Sequence, residues 1–457
     1  MKRTTYLSVL FLVFISFHSC QDELIVSELE EIETKELGLA SSQDEVLRAT
    51  AQIMAQLQNK AEVKSLLKNE ISKLPGGEKT VFYLSVKDKL IANSNATFSD
   101  LMTEKAKELG FQTSSTFFKD EVLAVSPKLS FTLFLHNTDD VTQWDLNQSV
   151  VVIPETKAFG GIDAYQEVGY SADGVNRLVS NENEPTFDAL VVENNGSFLH
   201  ISQRPTVDIL TKSFETLNIT PCDNMVDEIF QSIEDNTSND YLVYADDNNW
   251  LLDINSVLLR YNDCHIQEIR VPEPSARNRD TREEREEIKA ARVDHSDLKK
   301  FCKWWKSTCK IEVQLTFFEL NSQNTISPTS FPKKYIVEDR RDMKRHRVFW
   351  TDLQMYKWEH TQGSQNHGDK CIYTLIGKHH SPGNSTTYSF NASTGQVKFE
   401  QNGLTVTSPG FSGGISHTRT TSDLELGGDM VYYTDPSNGV GTMYMTGIVD
   451  FWVKEHE

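Results

Sequence analysis

Lys310 to Leu320 reads KIEVQLTFFEL, a run of β-branched and aromatic residues with partial period-2 alternation. This is the pattern of a strand whose alternate side chains enter a core. It is the first of a series. RVFWTDLQMYKWEH (347–360), KCIYTLIG (370–377), TTYSFNA (386–392), QVKFEQNGLTVTS (396–408), DMVYYTD (429–435) and MYMTGIVDFWVKEH (443–456) follow, each bounded by Gly, Pro, Asn or Ser. About eight strands in some 150 residues fit a β-sandwich over 309–457.

Upstream of that run the pattern changes. Residues 272–308 open on PEPSARNRD and continue into REEREEIK, where acidic and basic residues stand at spacings that pair along a helix. The apolar content is low, so this stretch reads as an exposed, charged linker helix joining two domains.

Residues 42–271 read as an α+β domain. Val46, Leu47, Ile53, Met54 and Leu57, then Val63, Leu66, Leu67, Ile71 and Leu74, recur at helical spacing and break near Asn59, with Pro75-Gly76-Gly77 as the stop. TVFYLSV (80–86) reads as a strand and Phe98 to Leu109 as a helix. LSFTLFLH, SVVVIP, GIDAYQ and FDALVVENN then read as short strands between Asn, Asp, Gly and Ser turns, which favours an antiparallel sheet. A short helix is expected around Val226 to Ile233, and YLVYADD and WLLDINSVLLRYND read as strand-like runs. The fold class is therefore α+β: N-terminal helices leading into an antiparallel β domain, then a C-terminal β-sandwich.

The chain starts MKRTTYLSVLFLVFISFHSCQDE. Lys2 and Arg3 form a positive n-region, and Tyr6 to Phe17 is an apolar run too short to span a bilayer. Ser19 places a small residue before Cys20, the arrangement that a lipoprotein signal peptidase needs. Residues 1–19 thus read as a lipoprotein signal peptide, Cys20 as the lipidated first residue of the mature chain, and 20–41 as a flexible acidic tether. The expected partner is a membrane, reached through the lipid on Cys20. The acidic stretch after Cys20 resembles the tether of surface lipoproteins of Bacteroidota-type bacteria, which implies an outer-membrane or cell-surface location. A net charge of −21 argues against a nucleic-acid partner.

The helical opening ATAQIMAQLQNKAEVKSLLKNEISKLPGGEKTVFYLSV, the run ending in GIDAYQEVGYSADG, and FDALVVENN resemble an uncharacterised family of secreted bacterial proteins and lipoproteins. The resemblance covers roughly residues 49–195. Gln166 stands where that family commonly has Asp. The family implies a fold and brings no activity with it.

No motif assigns a reaction. Beyond Cys20 the cysteines are Cys222, Cys264, Cys302, Cys309 and Cys371. In an exported chain Cys302 can pair with Cys309, and Cys222 with Cys264. That leaves Cys371, expected to be buried. Cys/His spacing gives no zinc site, H-E-x-x-H is absent, and no metal or cofactor is expected. Glu359, His360, His367, His379 and His380 gather in one stretch, and Asp423, Glu425 and Asp429 in another. Asp246, Asp247 and Asp253 form an acidic tip. Solvated loops account for these groups. Gly410-Phe411-Ser412-Gly413-Gly414 approaches a nucleophile elbow but lacks the helix that should follow.

Two function classes remain. One is a surface-anchored binding module for a glycan or protein, with Trp350, Tyr356 and Trp358 as ligand-stacking candidates alongside Tyr432, Tyr433 and Trp452. The other is a secreted, metal-assisted hydrolase whose site carries no recognisable motif.

Overall fold

The computed structural model describes residues 25–26, 36–72, 79–138, 140–217, 219–222, 224–234, 241–264, 285–320, 325–344, 348–358, 367–379, 385–401, 404–435 and 441–455. Cys20 and the export signal lie outside them, as do Glu359, His360 and His380. The architecture is α+β, with predominantly antiparallel strands in open sheets.

The N-terminal helices form where the spacing places them. α1 (Gln43–Leu57) starts on a capping box in which Ser42 and Glu45 satisfy each other's backbone N–H groups, and it buries Val46, Leu47, Ile53, Met54 and Leu57. The break near Asn59 is real, and α2 (Ala61–Ile71) follows. The expected strand 80–86 is divided: β1 covers Thr80–Phe82, and Tyr83–Val86 turns into a single helical turn. α2 is followed downstream by α3 (Phe98–Glu108), which has a second capping box from Thr97 and Asp100.

These helices pack against a four-stranded sheet of order β1, β2 (Leu129–Phe134), β4 (Ala189–Asn194), β3 (Val151–Pro154), in which only the β3 and β4 pair is parallel. The expected strand over 161–166 starts only at its end, as Gln166–Gly169. The loop before it is held by the Asn181 amide, which donates to the carbonyls of Phe159 and Asp163 at 2.9 Å. Nor is all of 20–41 a free tether. Glu36–Leu37 pairs in parallel with Gln112–Thr113, and Leu37 lies in the core.

β5 (Phe198–Ile201), α4 (Val207–Thr216), α5 (Met225–Glu234), β6 (Leu242–Ala245) and β7 (Trp250–Asp253) build a smaller sheet with its own apolar cluster. The strand expected through Asp263 ends at Asp253, because its carboxylate takes the Asn255 N–H and the Ser256 hydroxyl, both at 2.9 Å, and so caps α6 (Ile254–Cys264).

The charged stretch is the largest correction. Within 272–308 no linker helix spans the described part: Arg285–Val293 is a strand, β8, followed by α7 (His295–Phe301) and the Cys302–Cys309 loop. Its charges pair across strands instead of along a helix. Glu287 faces Gln354 on one neighbour and Lys454 on the other, while Ile288, Ala291 and Val293 enter a core.

KIEVQLTFFEL lies in β9 (Thr308–Leu320), the hub of a five-stranded sheet with β10 (Ile326–Ser330), β11 (Lys334–Asp339), β13 (His367–Lys378) and β16 (Leu424–Tyr432). β8 belongs to a four-stranded sheet of order β12 (Phe349–Lys357), β8, β18 (Val449–Glu455), β17 (Thr442–Met445). Ile311, Val313, Leu315 and Phe317 of β9 share one apolar cluster with Ile288, Leu353, Phe451 and Val453 of that second sheet. The opposite face of β9 is covered too. The long hairpin of β14 (Ser385–Gln401) and β15 (Leu404–Thr420) packs Val397, Phe399 and Ile415 against Phe318 and Ile372. Cys309 to Phe318 are consequently buried on both sides.

Candidate functional site

The outer face of the four-stranded sheet carries an exposed aromatic row. Register places Trp350 of β12 opposite Ala290 of β8, Ala290 opposite Trp452 of β18, and Trp452 opposite Met443 of β17. Directly paired residues point to the same side of an antiparallel sheet, so the four share one face. Ala290 is buried at the centre, a small floor between two indoles that stand about 10 Å apart at the usual strand spacing. Trp350 is 55% exposed, Met443 44% and Met445 57%, with Trp452 half-buried. Apolar side chains left open together mark a contact surface more than a packing accident.

Charged pairs rim the row. The Arg292 Nε donates to Asp450 at 2.9 Å one register step away, and Met445 faces Asp450 across the sheet. Lys289 bonds Asp352 and lies 5.9 Å from the Trp350 ring centroid, within cation–π reach. The bond to Asp352, outweighing the loss of solvent, raises the Lys289 ammonium above its ordinary range. An aromatic centre with a polar rim is the anatomy of a binding surface.

Of the three stacking candidates, only Trp350 belongs to it. Trp358 is 6% exposed, donates its indole N–H to the Gly368 carbonyl at 2.9 Å, and packs on Phe317 and Tyr433. It is a core residue. Tyr356 is half-buried, tilted against Phe331, and its hydroxyl donates to the Pro332 carbonyl. Tyr433 is buried and Tyr432 lies on the other sheet. The row's missing members were Ala290, Met443 and Met445. TMYM does carry a signal for the two methionines, since a strand that is apolar at every second position and again between them has two greasy faces.

The other candidate groups do not converge. Among the described residues no three His, Cys, Asp or Glu side chains come together to hold a metal ion. His367 and His379 are buried at opposite ends of β13, roughly 40 Å apart along the strand. Burial lowers His367 to about 4 and His379 to about 3, keeping both neutral. Asp423 binds Lys378 and the His379 N–H, Glu425 pairs with Arg419, and Asp429 takes backbone N–H groups of Met430 and Met445. The acidic tip is a turn in which Asp246 accepts the N–H groups of Asn248 and Asn249. Gly410 to Gly414 lie within β15, where Gly410 crosses the backbone of Gly395 too closely for any side chain.

One row does have the chemical order of a hydrolase. The Thr374 hydroxyl is 3.3 Å from His417 Nδ1, and His417 Nε2 is 2.7 Å from Glu312 Oε1. All three are shut between β9, β13 and the hairpin, so no substrate reaches the hydroxyl. The half-buried Lys378 and Lys333, the latter 2.8 Å from Glu312, complete an ion cluster that holds the buried Glu312 carboxyl far below its ordinary range, overcoming the desolvation that would raise it.

The disulfide loop behaves differently from a surface turn. Cys302 and Cys309 are bonded with a Cα separation of 5.5 Å. Between them, Trp304 and Trp305 pack on Ile153, Phe159 and Val191 of the N-terminal sheet side, and Lys306 reaches buried Glu155 (3.1 Å) and Glu193. Cys222 is also disulfide-bonded, while the Cys264 side chain lies outside the described residues. Cys371 is buried. No family model, no curated protein and no solved structure matches this chain.

Proposed function

We propose that this protein is an extracytoplasmic lipoprotein, held at the outer membrane or cell surface through Cys20, whose C-terminal β-sandwich binds a glycan on its outer aromatic face. The observation that carries the reading is the row of Trp350, Ala290 and Trp452. An exposed indole at Trp350 and a half-buried one at Trp452 on one sheet face, separated by an alanine floor, offer two stacking positions in line for the apolar faces of successive sugar rings. The ionic rim supplies donors and acceptors for hydroxyls.

The sandwich assignment is supported by the apolar cluster shared between the two sheets of the C-terminal region. The export signal and the Bacteroidota-type tether support the location. The resemblance over residues 49–195 adds a secreted setting and no chemistry.

A protein ligand is the second reading, favoured by Met443 and Met445, whose flexible thioethers suit a surface that adapts to a partner. A glycan array run beside a pull-down, using the full chain with Cys20→Ser, separates the two. Glycan binding lost in Trp350→Ala with Trp452→Ala supports the first reading. A protein captured by wild type and lost in Met443→Ser with Met445→Ser, with no glycan signal, replaces it. Binding unchanged in both double variants removes this face from consideration. Trp350→Ala alone leaves stability within about 0.5 kcal/mol, since the indole is largely in water.

A further inference from the structure

A cavity of about 340 Å³ lies between the end of β2 and the disulfide loop, closed on its far side by the short helix Arg340–Lys344. In a chain of net charge −21, its lining is cationic: Lys79, Lys306, Arg340, Arg341 and Lys344 against the carboxylates of Glu184 and Asp339. Arg340 is held rigidly, its Nε donating to the Cys302 carbonyl at 3.3 Å and its Nη1 to Glu184 at 2.7 Å. Glu184 also bonds Lys344, so one carboxylate serves two cations. Arg341 donates to Asp339 through Nε at 3.2 Å and Nη2 at 3.0 Å, and the Arg341 and Lys344 side chains are 58% and 37% exposed, open to an anion that competes with those carboxylates.

The rest of the wall fixes the kind of molecule. Trp304 and Trp305 are buried behind it against Phe159 and Val191, so the reachable polar wall comes from His136, Asn137 and Thr138, which add hydrogen-bonding groups. The volume is at the lower end for small-molecule sites. A polyanion would meet the repulsion of a chain of net charge −21, whereas a compact anion need only enter.

We propose that this cavity binds a small acidic saccharide, one or two rings carrying a carboxylate or sulfate, with Arg341 and Lys344 contacting the anionic group and His136 and Asn137 the hydroxyls. The site is separate from the tryptophan row, and neither reading depends on the other.

Titration calorimetry on the full chain with Cys20→Ser, at low salt, tests it with D-glucuronate, glucose 6-sulfate and glucose. The expected result is binding of at least one acidic sugar and none of glucose, weakened about tenfold or more by Arg341→Gln with Lys344→Gln and by raising NaCl to about 0.5 M. Binding of glucuronate alone identifies a carboxylate ligand, and of the sulfate ester alone a sulfated one. Circular dichroism of the double variant checks its fold, and both substituted residues are exposed enough to leave it intact. Equal affinity for glucose and glucuronate, no binding of either acidic sugar, or full affinity in the folded double variant overturns the proposal. Trp350→Ala with Trp452→Ala leaves this binding unchanged. If it abolishes it, the ligand sits on the outer sheet face and the cavity reading falls.

Discussion

Lys306 stands between two carboxylates that water cannot reach. Burial pushes Glu155 up to about 8, because Glu193 shares the one lysine charge that would hold both ionised. The sign of the pH effect follows. An unfolded glutamate loses its proton near 4.5 and the folded Glu155 near 8, so between those values the folded state holds the extra proton and stability falls as pH rises. Glu155→Gln is expected to flatten that decline, so that urea unfolding from pH 5 to 8 shows the variant gaining on wild type at the alkaline end. A steeper decline in the variant would refute the assignment. Glu312 gives the opposite case. Glu312→Ala leaves the buried His417 without its carboxylate partner and the half-buried Lys333 and Lys378 without their shared anion, and is expected to cost about 3 kcal/mol in the same assay at pH 7. At this scale the sequence was readable only by half. The alternation in KIEVQLTFFEL correctly puts Ile311, Val313, Leu315 and Phe317 inside, but a polar residue in a strand normally faces water. Nothing local announces that Glu312 is covered by His417 from 105 residues downstream.

Elements were legible where the signal was local. Helical spacing and the Pro-Gly-Gly stop placed α1 and α2, and residues 98–109 read as the helix α3, because each helix needs only its own neighbours and a core. β8 was not legible, since its identity depends on two distant strands. Glutamates and lysines that would pair along a helix pair equally well across a sheet, and burial between β12 and β18 decides the matter. The same misreading hid the aromatic row, whose floor is Ala290. The Cys302–Cys309 pair was legible from its spacing, yet the loop's role was not: FCKWWKSTC reads as a short loop and is a wedge with both tryptophans buried. Cys302→Ser with Cys309→Ser is expected to lose about 2.5 kcal/mol from the short closed loop. Loosening the wedge also exposes Trp304 and Trp305, so tryptophan emission in the native buffer moves to longer wavelength. Unshifted emission would mean that packing alone holds the wedge.

Over the whole molecule, the boundaries expected at 272 and 309 do not match where the sheets draw their strands. A fragment starting at residue 309 lacks β8, the strand that joins β12 to β18, and is expected to remain unfolded by circular dichroism and proton NMR dispersion. A fragment starting at 285 retains it and is expected to show strand signal while binding a hydrophobic dye, since Trp304 and Trp305 lose their cover on the N-terminal sheet side. Folding of the 309 fragment would show that the outer sheet closes without β8. The N-terminal and C-terminal regions meet elsewhere as well. Asn262 at the end of α6 exchanges bonds with the Tyr335 backbone at 2.6 and 2.9 Å, and Lys334 donates to the Asn262 carbonyl.

The register of β8 also sets a timetable. Arg292 meets Asp450 across 158 residues, so although β17 and β18 pair locally as a hairpin, a very long loop must close before β8 gains its first rung with β18. Until Val449–Glu455 arrives, β8 has an open edge and Trp452 has no place in the row. A chain interrupted anywhere in the last hairpin would therefore present a bare template for strand addition. Aggregation, more than loss of binding, is the failure to expect from a nonsense change there.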